Sequence, residues 1–312
     1  MEMGRVIVAK LFVFYVIFFH AEAGKLIRNF DDSGLRIGFY DETCPQAEQI
    51  VADTMAQIHE TNPRLPAHFL RLFFHDCIVS KSLMISKLNS RKHVPETVSC
   101  ADTLSFATRE AMVLSGLPHQ PWPAGRRDSE ESLAANVEGN LPLPNWTVDQ
   151  MIDLFVGKRG LSIEDMVALI GAHSVGGAHC GMFSNRIYNN KGDGLVKPIP
   201  NVAFLDELKG LCPDPNNAEQ VQKMGDPVVD FDQTTPEKLD HAYYTNLLEG
   251  KALLSTDQAL TQDERTNVFV HKFSDNQFKF VKKFLRAMLR LGTTQVLTGN
   301  QGQIRRICRS VN

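Results

Sequence analysis

Two stretches of the chain place histidine where it could move protons or hold a metal. The first is Arg71-Leu72-Phe73-Phe74-His75-Asp76-Cys77. On a helix residues i and i+4 share a face, so Arg71 and His75 would point the same way. A guanidinium can hold developing negative charge, and an imidazole beside it can carry a proton near neutral pH. A histidine paired with a nearby carboxylate on a packed helix would leave the same trace, so the segment alone decides nothing.

The second stretch runs from Leu169 through Gly171-Ala172-His173-Ser174-Val175-Gly176 to His179 and Cys180. Ala172 to Gly176 matches the hydrolase nucleophile elbow G-x-S-x-G at every position but the first. On that reading Ser174 attacks, and Asp232 with His241 or His271 completes a triad. The residues ahead of it argue otherwise. Ser162-Ile163-Glu164-Asp165 is a capping box with Asp in place of Glu, and it precedes the apolar stretch Met166 to Ile170. That predicts a helix, whereas the elbow follows a strand in a β/α alternation. His173 and His179 lie six apart, a poor spacing for one helical face, so His179 reads as a surface or packing residue.

Helices must position these groups. Pro45 to Glu60 carries apolar residues at Ala47, Ile50, Val51, Met55 and Ile58, and Ala67 to Cys77 forms a shorter, more apolar helix. Val281, Phe284, Leu285, Met288 and Leu291 form a stripe that stops at Gly292. Pro118 to Gly125, Leu141 to Pro144 and Asn189 to Gly194 are loops. Strand-like alternation is scarce, and there is no internal repeat or linker. The 312 residues, 43% hydrophobic with a net charge of −3, fit one mainly α domain over residues 24–312 and give no electrostatic basis for binding nucleic acid.

Residues 1–23 read as a signal peptide: Arg5 is the basic start, Leu11 to Phe19 the apolar run, and Ala21-Glu22-Ala23 the cleavage site. No later stretch reaches the roughly 20 apolar residues of a membrane helix. The expectation is therefore a secreted protein with no membrane attachment after cleavage. In an oxidising compartment the six cysteines are candidates for bridges, and Asn145-Trp146-Thr147 is a sequon for a glycan.

Taken together, the two histidine segments resemble those of the secretory (class III) plant haem peroxidases. Gly38-Phe39-Tyr40 with Thr43-Cys44-Pro45 is similar to that family's opening, and Arg71 to Cys77 resembles its distal haem motif. Val98-Ser99-Cys100-Ala101-Asp102, Gly125-Arg126-Arg127-Asp128 and Leu141-Pro142-Leu143-Pro144 follow in the family's order. Gly171 to Cys180 resembles the proximal motif. Phe231-Asp232, Thr235-Pro236 to Asp240, Tyr243-Tyr244, Thr256-Asp257-Gln258, and Leu297-Thr298-Gly299 to Cys308 complete the set.

The resemblance implies a plant peroxidase fold in which distal and proximal helical halves sandwich one haem b. His173 would be the axial ligand, with Asp257 accepting its Nδ1 proton. His75 would take a proton from hydrogen peroxide and return it to the leaving oxygen, while Arg71 steadies the negative charge. Phe74 and Phe231 would wall the haem, with Arg64 near its edge and Pro142 at the donor site. The implied reaction is one-electron oxidation of small phenolic donors by a monomeric extracellular enzyme of the cell wall. Ser174, Asp232, Thr235, the Lys238 carbonyl and Asp240 would hold a proximal calcium ion.

The distal side departs from the family pattern. Asp76 and the Val79 carbonyl match distal calcium ligands, but the chain continues Lys81-Ser82-Leu83-Met84-Ile85. Leu83 brings no carboxylate and Ser82 no thiol, so the distal ion loses its site. Only 22 residues separate Cys77 from Cys100, roughly 30 fewer than the family spacing. The asparagine that orients the distal histidine, a glutamate and a helix go with them. The resemblance pairs Cys100 with Cys308 and Cys180 with Cys212; Cys44 and Cys77 lose their family partners and are left as thiols or as an improvised pair. The expected activity is an impaired peroxidase. The alternatives are a haem-binding wall protein without turnover, an unstable truncated product and, remotely, the Ser174 hydrolase.

Overall fold

Side-chain caps and apolar stripes set out most of the elements. The computed structural model describes residues 33–79, 97–131, 137–188 and 197–312. The leader over 1–23, the altered calcium segment from Lys81 to Ile85 and the loop from Asn189 to Gly194 lie outside the described residues. The helices in chain order are α1 (Ala47–Thr61), α2 (Leu65–Val79), α3 (Cys100–Leu114), α4 (Val148–Ile152), α5 (Ile163–Ile170) and α6 (Ser184–Tyr188). They continue as α7 (Val202–Leu211), α8 (Ala218–Met224), α9 (Ala242–Leu248), α10 (Ser255–Ala259), α11 (Glu264–Ser274) and α12 (Gln277–Leu291). Among the described residues the single sheet pairs β1 (Gly177–His179) antiparallel with β2 (Val228–Asp230), in register Ala178 to Val229.

Several starts are chemically marked. The Ser99 hydroxyl accepts from the Asp102 amide to cap α3. Thr147 and Gln150 form a reciprocal box at α4, and Ser162 and Asp165 form the one predicted at α5. The α12 stripe is buried along its length, from Val281 to Leu291, and Gly292 is the C-cap. Where α4 ends, the chain continues directly into a π-helical turn, Asp153–Lys158, which carries buried Phe155 toward α2.

The core has two parts. The larger joins α1–α3 to α5, α9, α11 and α12, and includes Phe73, Phe106, Phe155, Tyr243, Tyr244, Phe280 and Phe284. The smaller lies around Cys180 and Cys212, with Phe183, Phe204, Leu208 and Val229. Each part has one disulfide. Cys100–Cys308 ties the start of α3 to the C-terminus across 208 residues, and Cys180–Cys212 closes a 32-residue span. Cys44 and Cys77 lie outside these bridges. No helix among the described residues is long and apolar enough to cross a membrane.

Candidate active site

His173 sits on a one-turn 3-10 helix, Gly171–Ser174, that prolongs α5. Glycine is needed at the start of that turn, because a Cβ on Gly171 would run into the Tyr244 hydroxyl and come within 2.7 Å of the Phe280 ring. At its far end Gly176, at φ +81°, swings the chain into β1. His173 Nδ1 lies 2.9 Å from Asp257 Oδ2, and Asp257, on α10, is 1% exposed. A carboxylate can only accept, so Nδ1 carries a proton, and Nε2 is the ring nitrogen left outside that contact. The Phe231 ring stacks on the imidazole with centroids 4.3 Å apart and planes at 16°, and Tyr243 meets it edge-on. The result is a histidine whose ring is held in a fixed plane by its Nδ1 side, leaving Nε2 as the nitrogen that could hold a metal.

Arg71 and His75 share a face of α2, as their spacing predicts, and Arg71 Nε–H donates to His75 Nε2 at 3.4 Å. Burial, reinforced by the Arg71 charge, pushes His75 down to about 4. The imidazole is therefore neutral at pH 7 and able to take a proton. Phe74 stacks on Phe155 at 5.8 Å and turns an edge to His75.

A group of oxygen atoms gathers behind His173. Ser174 Oγ donates to the Lys238 carbonyl at 2.6 Å and accepts from the Asp240 amide at 3.0 Å. Thr235 Oγ1 lies 3.2 Å from Asp232 Oδ2 and 3.0 Å from Asp240 Oδ1. Asp232 is fully buried, and burial, joined by the charge of Asp240, holds its carboxyl above the usual carboxylate range. Two carboxylates, two hydroxyls and a carbonyl form a hard oxygen set that fits calcium. No group of three His, Cys, Asp or Glu side chains suited to a metal occurs among the described residues, so this set depends on its neutral oxygens.

The same contacts bear on the hydrolase reading. Ser174 is fully buried and its hydroxyl is committed to the Lys238 carbonyl, while His241 Nδ1 contacts Gln277 Oε1 at 3.1 Å. The serine–histidine contact that activates a nucleophile is not formed among the described residues.

The remaining predicted residues are spread around these centres. Arg64, just ahead of α2, pairs with Asp230 of β2 at 2.8 Å, beside a cavity of about 50 Å³ lined by Ala67, Ser115 and Gly176. Pro142 is half-buried in its turn and Asn145 is exposed. Asp76 is half-buried near the end of α2, and Val79, the last residue of that helix, is buried. His179 Nδ1 contacts the Asp226 carbonyl at 2.8 Å, away from His173 chemistry. Arg159, just after the π-helical turn, had no signal in the sequence. Its guanidinium donates to the Ile78 carbonyl, to Asn140 Oδ1 at 3.3 Å and to Gln295 Oε1 at 2.6 Å, and so holds the C-terminal end of the helix that carries His75.

Comparison with known proteins adds a second line of argument. A family model described as peroxidase matches residues 82–276. Peroxidase 45 of Arabidopsis thaliana is 38% identical over 308 positions, which take in 89% of this chain and 92% of the relative. Peroxidase 16 and Peroxidase 57 of the same plant are 36% and 35% identical, each over 89% of this chain and 93% of their own length. With 308 positions aligned to only 89% of 312 residues, roughly 30 positions of the first relative find no counterpart here.

Proposed function

The chain belongs to the plant peroxidase superfamily and is a peroxidase enzyme; from that premise we propose a secreted, haem b-dependent peroxidase of phenolic donors whose turnover is reduced by the shortened distal side. When bound, the haem supplies a redox iron that takes two oxidising equivalents from hydrogen peroxide and hands them on one electron at a time. The overall balance is one hydrogen peroxide and two donor hydrogens giving two waters and two donor radicals.

His173 Nε2 would be the atom that holds the iron. Asp257 holds the Nδ1 proton and lends the ring imidazolate character, which favours oxidised iron. The observation that carries the reading is this 2.9 Å pair with Phe231 stacked on its ring. Neutral His75 would take the proton from hydrogen peroxide, and Arg71 would steady the charge that develops on the oxygen as the O–O bond breaks. His75 then returns the proton to the leaving oxygen, which departs as water. Phe74 and Phe231 would keep water from the bound group, and Arg64 and Pro142 would lie where donors approach. Ser174, Asp232, Thr235, the Lys238 carbonyl and Asp240 would hold a calcium ion and with it stiffen the turn that carries His173.

Reduced turnover follows from how His75 is held. The polar contact described for its ring is the long one to Arg71, and the short stretch of 22 residues between Cys77 and Cys100 is where the resemblance leaves out an orienting asparagine. A base whose tautomer and position are loosely set is a poorer base. The same observation supports a second reading, a haem-binding wall protein without turnover. Stopped-flow mixing of haem-loaded protein with hydrogen peroxide separates the two. A slow but measurable reaction that is lost in His75→Ala supports the impaired enzyme. No reaction above free haem supports the binding protein.

A further inference from the structure

The polar contact described for the His75 ring is the one to Arg71, at 3.4 Å, so the place of the ring is set chiefly by the backbone that carries it. That backbone stands close to the end of its helix. α2 stops at Val79, and the carbonyls of its last turn, Ile78 among them, have no partner within the helix. In an α-helix the Val79 amide bonds back to the His75 carbonyl, so fraying of the last turn moves His75 directly.

Two contacts from one neighbouring segment bear on this end. Phe155, buried within the π-helical turn Asp153–Lys158, stacks on Phe74 with centroids 5.8 Å apart. Arg159, four residues on and the C-cap of that turn, donates from Nη2 to the Ile78 carbonyl. Phe74 and Ile78 are themselves one helical turn apart, so the two contacts flank His75. The guanidinium has two further anchors. Nη2 donates to Asn140 Oδ1 at 3.3 Å, and Nη1 donates to Gln295 Oε1 at 2.6 Å. Gln295 has φ +51° and is the one non-glycine residue at positive φ among the described residues. Such a backbone persists where its surroundings hold it, and the bond to Arg159 is one such hold. The loop of Gln295 follows α12 and meets α2 again at Gly292, where a Cβ would come within 2.8 Å of the Phe73 ring.

We propose that Arg159 is a positioning residue for the reaction with hydrogen peroxide: it pins the last turn of α2 to the loops at Asn140 and Gln295 and, with Phe155, sets where His75 stands. It acts through the backbone of α2 and not on a reacting atom. This role rests on the peroxidase reading above.

The test compares the full native chain with Arg159→Gln, Arg159→Lys and Asn217→Ala. Asn217 caps α8, which carries no buried residue, so its loss removes a helix hold without touching α2. Hydrogen exchange of peptides spanning residues 74–79 is read without haem, and the rate of reaction with hydrogen peroxide is read after loading with haem b. A misplacement of about 1 Å can cost about 10²-fold, so partial release of His75 in Arg159→Gln should lower the peroxide rate about tenfold. Exchange at 74–79 should rise by a similar factor, with haem uptake unchanged. Arg159→Lys keeps a donor for the Ile78 carbonyl but loses the planar fork, so it should recover part of both. Asn217→Ala should change neither. Unchanged exchange in Arg159→Gln overturns the proposal, as does an unchanged peroxide rate beside raised exchange, or a rate that falls as far in Asn217→Ala. If Arg159→Gln does not fold, Gln295→Gly removes one anchor while suiting the left-handed backbone. It should raise exchange at 74–79 and slow the peroxide reaction, and no change in either overturns the proposal. A native chain that reacts with peroxide no faster than free haem overturns the enzymatic reading and this inference with it. A native chain that reacts, beside an unaffected Arg159→Gln, overturns this inference alone.

Discussion

At the scale of single residues, the two histidines are prepared in opposite ways. His173 has a carboxylate at Nδ1, which holds its ring, whereas His75 has a cation at Nε2, which keeps it unprotonated. Because burial and Arg71 push His75 down to about 4, the imidazole is an available base across neutral pH. The rate of reaction with hydrogen peroxide should be flat from about pH 5 to 8 and fall on the acid side near pH 4, where His75 takes up a proton. An acid limb centred near 6.5 in stopped-flow data would show that the lowered value is absent. The same shift has a stability consequence. Between about pH 6.5 and 4 the unfolded chain binds a proton that the folded chain does not, so stability falls as pH drops through that window. Thermal melts of His75→Phe should show a weaker slope there. Removing the imidazole with His75→Ala should lower the peroxide rate by about 10²–10⁴-fold, less if the loosely held base already contributes little.

Elements decide whether those residues stay in place. The capping box of α5 was legible because Ser162 and Asp165 announce it by type and spacing, and the α12 stripe because its apolar period matches the helix. The π-helical turn was not, since Asp153 to Lys158 shows no marker distinguishing a five-residue hydrogen-bond span from an α-helical one. Arg159 was missed for the same reason: its partners Ile78, Asn140 and Gln295 are far away in sequence and carry no shared motif. Of the candidate site, the His173–Asp257 and Arg71–His75 pairs could be named from the sequence, whereas the Arg64–Asp230 pair and the hold of Arg159 on Ile78 exist only in three dimensions. Two substitutions test this scale. Ser162→Ala should cost about 1 kcal/mol in urea unfolding through loss of the cap. Gly171→Ala should cost more, about 1–3 kcal/mol, because its methyl group meets Tyr244 and Phe280 in a packed core, and it should weaken haem retention by displacing His173. Equal costs for the two would contradict the tight contact drawn at Gly171.

The whole molecule is held at two long-range points, the Cys100–Cys308 bridge and the oxygen cluster behind His173. Cys308→Ser should destabilise the chain by about 2–5 kcal/mol in chemical unfolding, since it frees a long loop in the unfolded state. Removing calcium with a chelator should lower the thermal midpoint, and readdition should restore it; Asp232→Asn should abolish that response. Kinship explains why the proximal half is so readable, with relatives at 35–38% identity across most of the chain. It also gives the departure a size, roughly 30 aligned positions without a counterpart. The central claim, that His173 ligates haem in a peroxidase, is tested most directly by titrating the native chain and His173→Ala with haem b and recording absorption spectra. One tightly held haem per native chain, with an intense band that is lost or displaced in His173→Ala, is the predicted result. A native chain that stays colourless, or a band indifferent to His173→Ala, would contradict it.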